Sequence, residues 1–335
     1  MKEWILISVQ PTDLFFAWQL NIQLHNFSRL GISNRYHVLL YTSPKREIHP
    51  LFFALEKRYP EVKFIYFDDS KEGKCWHLIK TFNYIPLLRP WCLQEYFTVH
   101  PELSDKCVFY LDSDVIFTKY PDFIEGLLND NINYLSDTRS YISASYFDSK
   151  IKDVIPRKID TYKKRDILAE SISSFGISRE ICEKNEFNTG GAQYLLKGID
   201  AKFWADVLDG CMMLRVHLTN VNNQFFESED KGFQVWCADM WSLLWNLWKR
   251  GQETSTPTCM DFAWATTPIK DWKNKYIYHD AGAIEGCFDK MLFRNNTTTP
   301  FDLGVDYNKI NLNMCSSKYV EELLDSKQTF NNLKV

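Results

Sequence analysis

The chain reads as an α/β protein built around a parallel sheet, and two observations predict this. In the first third, short apolar runs alternate with segments of helical character. Strands separated by helices imply a parallel sheet with right-handed crossovers. One apolar run, Cys107-Val108-Phe109-Tyr110-Leu111, ends on two carboxylates, Asp112 and Asp114. Unpaired carboxylates are costly away from water. They therefore belong at a strand's carboxyl end, where parallel sheets bind ligands.

The elements follow in order. Trp4 to Gln10 is a first strand. Thr12 supplies an N-cap for a helix from Asp13 to Leu30, ended by Gly31. Tyr36 to Thr42 is a second strand, followed by a helix over Pro50 to Tyr59 that Pro60 stops. Val62 to Phe67 is a third strand. Leu87 to Val99 is helical and leads to the fourth strand at Cys107. Lys150 to Arg165 is polar and basic, a solvated face or a patch for an anionic acceptor. Asn220 to Asp230 reads as a mobile loop. Gly232 to Arg250 is a strongly apolar helix with a Lys-Arg-Gly end, and Asp239 interrupts its apolar face.

Composition narrows the function. The chain has 335 residues, 45% of them apolar, which is ample for a core. A net charge of −4 gives no global basic footprint for nucleic acid. Its 9 cysteines show no zinc spacing and read as reduced, buried thiols of a cytoplasmic protein. No segment approaches a membrane span. No Gly-x-Gly-x-x-Gly follows the first strand, and no Gly-x-x-x-x-Gly-Lys-Ser/Thr exists. This argues against a dinucleotide enzyme and a P-loop NTPase.

Phosphate binding then falls to a metal. Asp112 and Asp114 alternate with Ser113, so both point the same way on an extended backbone and suit a hard divalent ion. The other reading is a turn with two solvated carboxylates. His279 ends the β-like run Tyr276-Ile277-Tyr278. It either completes the metal site, since imidazole suits manganese-type ions, or is a hydrogen-bonded strand-end histidine. Asn188 with Gly190 and Gly191 either admits a sugar close to the backbone or forms an ordinary turn. Arg89 either grips a phosphate in bidentate fashion or starts a helix at the surface. Gln10, Thr12 and Asp13 follow the first strand, where a nucleotide's base or ribose is contacted. Asp239 is a candidate for the reacting face.

Together these residues resemble a GT-A fold glycosyltransferase. More narrowly, the chain is similar to the hydroxyproline arabinosyltransferases and peptidyl-serine galactosyltransferases of plants and algae. The resemblance runs through Trp18-Gln19, Leu88-Arg89-Pro90-Trp91, Val108 to Phe117, Gly232 to Gly251 and Tyr276 to Gly282. It implies one GT-A domain over residues 1–335, a single Rossmann-like mixed sheet flanked by helices. Residues 1–135 would be the nucleotide-sugar half and 136–335 the acceptor half.

It also implies Mn2+ (or Mg2+) on Asp112, Asp114 and His279, a UDP-sugar donor, and transfer with retention. Arg89 and Ser113 would lie on the donor phosphates, Gly190 and Gly191 along the sugar, and Asn188 and Asp239 at the reacting centre. The Golgi relatives carry a signal anchor and often a degenerate acidic motif. A complete motif without an anchor points to a bacterial or viral enzyme in the cytoplasm. The favoured sugar is arabinose, and the favoured acceptor is 5-hydroxymethylcytosine in phage DNA. The alternatives are a protein or glycan hydroxyl, and a non-catalytic nucleotide-sugar-binding module.

Overall fold

The computed structural model describes residues 3–45, 47–282, 284–302 and 304–333. The α/β class holds. β1 (Trp4–Pro11) leads into α1 (Leu14–Arg29), β2 (Tyr36–Thr42) into α2 (Leu51–Arg58), and β3 (Lys63–Asp68) into α3 (Lys74–Phe82) and α4 (Leu88–Val99). β4 (Cys107–Tyr110) and β5 (Val115–Phe117) flank the acidic turn. β6 (Asn133–Asp137), β7 (Gly190–Leu196), β8 (Thr254–Ser255), β9 (Phe262–Ala263) and β10 (Ile277–His279) follow. Three longer helices span Ala201–Phe225, Ala238–Lys249 and Ser316–Leu333.

The chain divides into two compact units. A sheet unit comprises Glu3–Gly73, Val108–Leu128 and the chain from Thr258 on, and a helix unit comprises Lys74–Cys107 and Asn129–Pro257. The units interleave along the sequence, because the acidic strand and everything after Thr258 return to the first.

In the sheet unit the strand order is β3-β2-β1-β4. β1 and β2 pair in parallel from Leu6 opposite Tyr36 to Pro11 opposite Tyr41, and β2 pairs in parallel with β3. β2 is buried throughout and β1 at all but its last residue, which is why both read as unbroken apolar runs. The register brings Gln10, Thr42 and Asp68 to one end of the sheet. A second sheet has the order β5-β10-β9, with β10 antiparallel to β5 and parallel to β9. The 316–333 helix packs on α1, fixed by an Arg29–Glu322 ion pair of 2.6 Å and an Asn21 Nδ2 bond to the Ser326 carbonyl.

In the helix unit β6 lies between β7 (antiparallel) and β8 (parallel). Its core gathers α4 and the 201–225 and 238–249 helices around Trp204, Trp241 and Trp245, all fully buried. Most tryptophans here serve the core. Among the described residues no disulfide forms between any of the 9 cysteines, and all but Cys259 are buried. Among the described residues no helix is long and apolar enough to cross a membrane.

Several local expectations are corrected. The N-cap of α1 is Asp13, not Thr12, whose amide donates to the Tyr41 carbonyl at 3.1 Å and ties it to β2. The segment from Asn220 is helical to Phe225, because the 201–225 helix buries Val221 and Phe225 on its inner face. Asn222 then clamps the loop that follows. Its Nδ2 donates to the Phe233 carbonyl, and its Oδ1 accepts from the Phe233 amide. That clamp holds Phe233 out of the next helix, which starts at Ala238. Asp239 therefore sits in a helical first turn, where the helix dipole favours an acid. α3 was not foreseen. Its burial rests on Cys75 and Ile79, four residues apart on one face.

Candidate active site

Asp112, Ser113 and Asp114 occupy the turn where the chain leaves β4 and enters β5. Leu111 continues the first sheet by donating to the Ile7 carbonyl at 3.1 Å, and the Val115 amide closes the turn on the Asp112 carbonyl at 3.3 Å. The antiparallel register sets His279 opposite Val115, and the Asp280 amide donates to the Asp114 carbonyl at 3.1 Å. His279 thus arrives beside Asp114 through backbone pairing. Its Nε2 lies 3.3 Å from Asp114 Oδ1 and 3.8 Å from Asp112 Oδ2.

The turn is stapled from behind by α1. Gln23 Nε2 donates to the carbonyls of Asp112 (2.9 Å) and Val115 (2.7 Å), while its Oε1 accepts from the Tyr36 hydroxyl. Asn26 exchanges two hydrogen bonds with the Phe117 backbone, each 3.0 Å. Gln19 Oε1 accepts from Ser113 Oγ at 3.4 Å. Gln19, Gln23 and Asn26 form a buried polar stripe with spacings of four and three on one helix face. Polar residues at that spacing in an otherwise buried helix were the signal that could have found them.

The residue that sequence reasoning missed is Lys290. Its ammonium pairs with Asp114 Oδ2 and donates to the Asp280 carbonyl. Burial alone would raise the Asp114 carboxyl. Lys290 and His279 outweigh it and hold that group well below the usual carboxylate range. Burial likewise works against the charge on Lys290, and Asp114 and Asp280 overcome it. The Asp280 side chain is pushed up to about 7 by its complete burial, with Lys290 opposing and Asp114 adding to the rise. Its Oδ1 accepts from the Tyr278 hydroxyl at 3.1 Å. Tyr278 in turn stacks on Tyr319 of the C-terminal helix, with ring centroids 5.2 Å apart. Trp264 lies nearly parallel to His279, with 12° between the planes and ring centroids 6.3 Å apart.

The donor set fits a hard divalent cation. Asp112, Asp114 and His279 each offer one ligand atom, and those atoms lie within 4.8 Å of one another. Asp114 Oδ1 is buried and meets His279 Nε2 at 3.3 Å. A divalent cation between the two would be held by both. Two carboxylates and an imidazole leave room for phosphate oxygens on a manganese- or magnesium-type ion.

The other predicted residues of the sheet unit lie at the end of β1. Gln10 is 1% exposed, and neither side-chain amide atom is hydrogen-bonded among the described residues. Thr12 is buried against β2. Asp13 caps α1 by backbone only, and Asn296 Oδ1 accepts from the next amide but one, Phe15, at 3.0 Å.

The helix unit holds Arg89, Asn188, Gly190, Gly191 and Asp239. Arg89 lies in the first turn of α4, and its Nη1 donates to Asp239 Oδ2 at 3.2 Å. Asp239 Oδ1 also accepts from the Tyr84 hydroxyl (3.0 Å) and the Met240 amide (3.0 Å). Burial first, then the Asp239 charge, raises the Tyr84 phenol well above its usual range, so it remains a donor.

Gly190 and Gly191 lie inside β7. A Cβ on Gly190 would meet the Ser136 carbonyl at 2.4 Å, and one on Gly191 would meet Met240 Cε at 2.4 Å. Their smallness is accounted for by strand and helix packing. A bulge follows at once, between Leu135 and Ser136 of β6, with Ala192 in the left-handed region at φ 68°. The Asn188 carbonyl accepts from Thr254 Oγ1 at 2.9 Å.

The solved structures that this chain is similar to include the galactosyltransferase LgtC in complex with donor and acceptor sugar analogues. There the identity is 11%, the TM-score 0.41, and the match covers 96% of this chain and 95% of that one. Mouse xyloside xylosyltransferase 1 in its apo form gives 10% identity and a TM-score of 0.39 over 83% of this chain and 98% of that one. The Mn/GDP form of core-mannan synthase A from Aspergillus fumigatus gives 11% identity and a TM-score of 0.30 over 78% and 72%. No protein-family model matches the chain, and no curated protein does. At these levels of similarity the assignment of chemistry rests with the side chains.

Proposed function

We propose that this protein is a metal-dependent glycosyltransferase of GT-A type that moves a sugar from a UDP-sugar to a hydroxyl acceptor. One observation carries the reading. Asp112, Asp114 and His279 converge at a strand's carboxyl end with ligand atoms within 4.8 Å of one another. A bound divalent ion would neutralise the leaving diphosphate, a Lewis-acid role.

The chain's own residues prepare that site. Lys290 and His279 keep Asp114 ionised, the form in which a carboxylate ligates. Gln23 fixes the turn through its two carbonyl bonds. The buried amide of Gln10, open on both atoms, supports a nucleoside contact, which we extend to Thr12 and Asp13. We assign Ser113 to the donor side of the turn, and Asn188 with the Gly190-Gly191 backbone to the transferred sugar. Arg89, whose guanidinium is committed to Asp239, is assigned to holding that carboxylate rather than to the donor phosphate. Asp239 is the residue assigned to the reacting face.

Mass spectrometry of UDP-sugar hydrolysis with and without Mn2+ tests the reading. Manganese-dependent hydrolysis is expected, and Asp112→Ala with Asp114→Ala should abolish it. Hydrolysis that persists in the double variant overturns the metal assignment. The absence of any UDP-sugar turnover favours the non-catalytic binding module. The resemblance supports arabinose as the sugar and retention as the outcome. Under retention the leaving phosphate takes the acceptor proton, so Asp239→Asn keeps measurable turnover. Loss of nearly all transfer and hydrolysis in that variant would instead make Asp239 a general base.

Two acceptor readings follow. Hydroxymethylcytosine in DNA is supported by Lys152, Arg157, Lys163 and Lys164, exposed cations of the basic segment. Transfer to it should fall steeply with salt. Three other cations of that segment are engaged by their own unit. Lys150 bonds the Lys231 carbonyl, Lys158 the Gln224 carbonyl, and Arg165 pairs with Glu170. That engagement favours the second reading, a hydroxyl on a glycan or protein.

A further inference from the structure

We propose that Trp236 and Tyr141 form a stacking platform for a neutral saccharide acceptor, with Asp239 as the carboxylate that receives its hydroxyl. The proposal rests on the glycosyltransferase reading and deepens its acceptor half.

Trp236 is 57% exposed, whereas its neighbours Val235 and Cys237 are buried. A tight 3-10 turn over Val235–Cys237 holds the indole outward. Tyr141 lies beside it, with ring centroids 5.8 Å apart and planes 33° apart. Leaving that much aromatic surface in water forgoes burial energy, and two adjacent rings form a surface for a flat apolar partner.

The platform is fixed to a carboxylate. The Tyr84 hydroxyl bonds the Trp236 carbonyl at 2.7 Å and Asp239 Oδ1 at 3.0 Å. One phenol therefore sets the indole's backbone and the carboxylate at fixed places in the same unit. A pyranose or furanose ring presents a C–H face flanked by hydroxyls. An indole takes the face, and a carboxylate accepts from a hydroxyl.

Local charge selects between ligand classes. Arg89 is paired with Asp239 at 3.2 Å. Arg139, on the same short helix as Tyr141, is held by both oxygens of Asp137, at 3.3 and 2.9 Å. Single-stranded nucleic acid also stacks on tryptophan, but within a groove of cations that meet its phosphates. Here these two guanidiniums are matched by carboxylates of the chain, and a third, Arg215 over the Tyr84 ring, donates to the Phe82 and Asn83 carbonyls, which suits an uncharged ligand.

The experiment measures binding without donor or metal. Probes are a panel of neutral disaccharides (lactose, xylobiose, arabinobiose) and a hydroxymethylcytosine oligonucleotide. They are titrated by calorimetry into the wild type, Trp236→Ala and Trp236→Phe. At least one disaccharide should bind, about tenfold more weakly to Trp236→Ala and near wild type to Trp236→Phe. In the wild type, that disaccharide should also slow oxidation of Trp236 by N-bromosuccinimide, read by peptide mass spectrometry. This second measurement stands if the alanine variant fails to fold. No disaccharide bound, binding indifferent to Trp236, or tighter Trp236-dependent binding of the oligonucleotide each overturns the proposal. Manganese-dependent UDP-sugar hydrolysis by the wild type, measured separately, shows whether the underlying reading has failed as well.

Discussion

The two units each hold a partly buried carboxylate centre, and they satisfy it in opposite ways. In the helix unit, Asp239 is enclosed by donors: Arg89, the Tyr84 hydroxyl and the Met240 amide. In the sheet unit, Asp114 is paired with Lys290 on one oxygen, and its other oxygen is buried against His279 Nε2 at 3.3 Å. The first arrangement holds its carboxylate in place with donors from the protein. In the second, the ligand atoms of Asp112, Asp114 and His279 converge within 4.8 Å of one another. Such convergence points to a cation more directly than the number of acids in a motif does.

That contrast can be broken by removing each centre's cation or donors. The largest effect is expected from Lys290→Met, which strands the Asp114 charge. Breaking a buried pair costs about 3–5 kcal/mol, measured by chemical denaturation. Saturating Mn2+ should recover part of the loss, because a metal binding only the folded form stabilises it. No recovery would mean that the cluster is an internal ion pair and nothing more.

Asp112→Ala with Asp114→Ala should weaken Mn2+ binding by more than about a hundredfold. Loss of residues merely behind a metal's ligands already costs about 10–100-fold. Paramagnetic resonance of free Mn2+ reads this directly, and unchanged affinity would relocate the site. Gln23→Leu leaves the carbonyls of Asp112 and Val115 without their donor. It should cost about 1–3 kcal/mol of stability and loosen Mn2+ binding by about tenfold.

Arg89→Met should have the smallest effect. Asp239 keeps the Tyr84 and Met240 donors and some solvent contact, so the loss should be about 1 kcal/mol. Mn2+ affinity should stay at the wild-type value. A change in Mn2+ affinity as large as that of Gln23→Leu would overturn the assignment of Arg89 to holding Asp239 alone.

Much of the scaffold was legible in the sequence, for a local reason. β1, β2 and α4 announce themselves by unbroken apolar runs or helical period within a few residues. Gly251, at φ 68° after the 238–249 helix, marks its end as the Lys-Arg-Gly signal predicted. The triad was legible too, because two acids closing an apolar strand have few apolar uses. Less legible were the surroundings of glycines and single charges. Gly190 and Gly191 read as a turn, whereas they lie in β7 with protein atoms in the space their side chains would need. Asp239 looks like a charge inside a helix because the Asn222 clamp, which delays that helix, lies 11 residues before Phe233.

The sequence by itself determined the alternation of strands and helices in the first third of the chain and the identity of the metal-ligand candidates. Both follow from short-range patterns of burial. The tertiary structure alone decided their surroundings: that β10 pairs with β5 so His279 meets Asp114, that α1 staples the acidic turn, and that Lys290, 176 residues beyond Asp114, shares its charge. These are contacts between residues distant in the chain. They are set by strand register and packing, which no local pattern encodes.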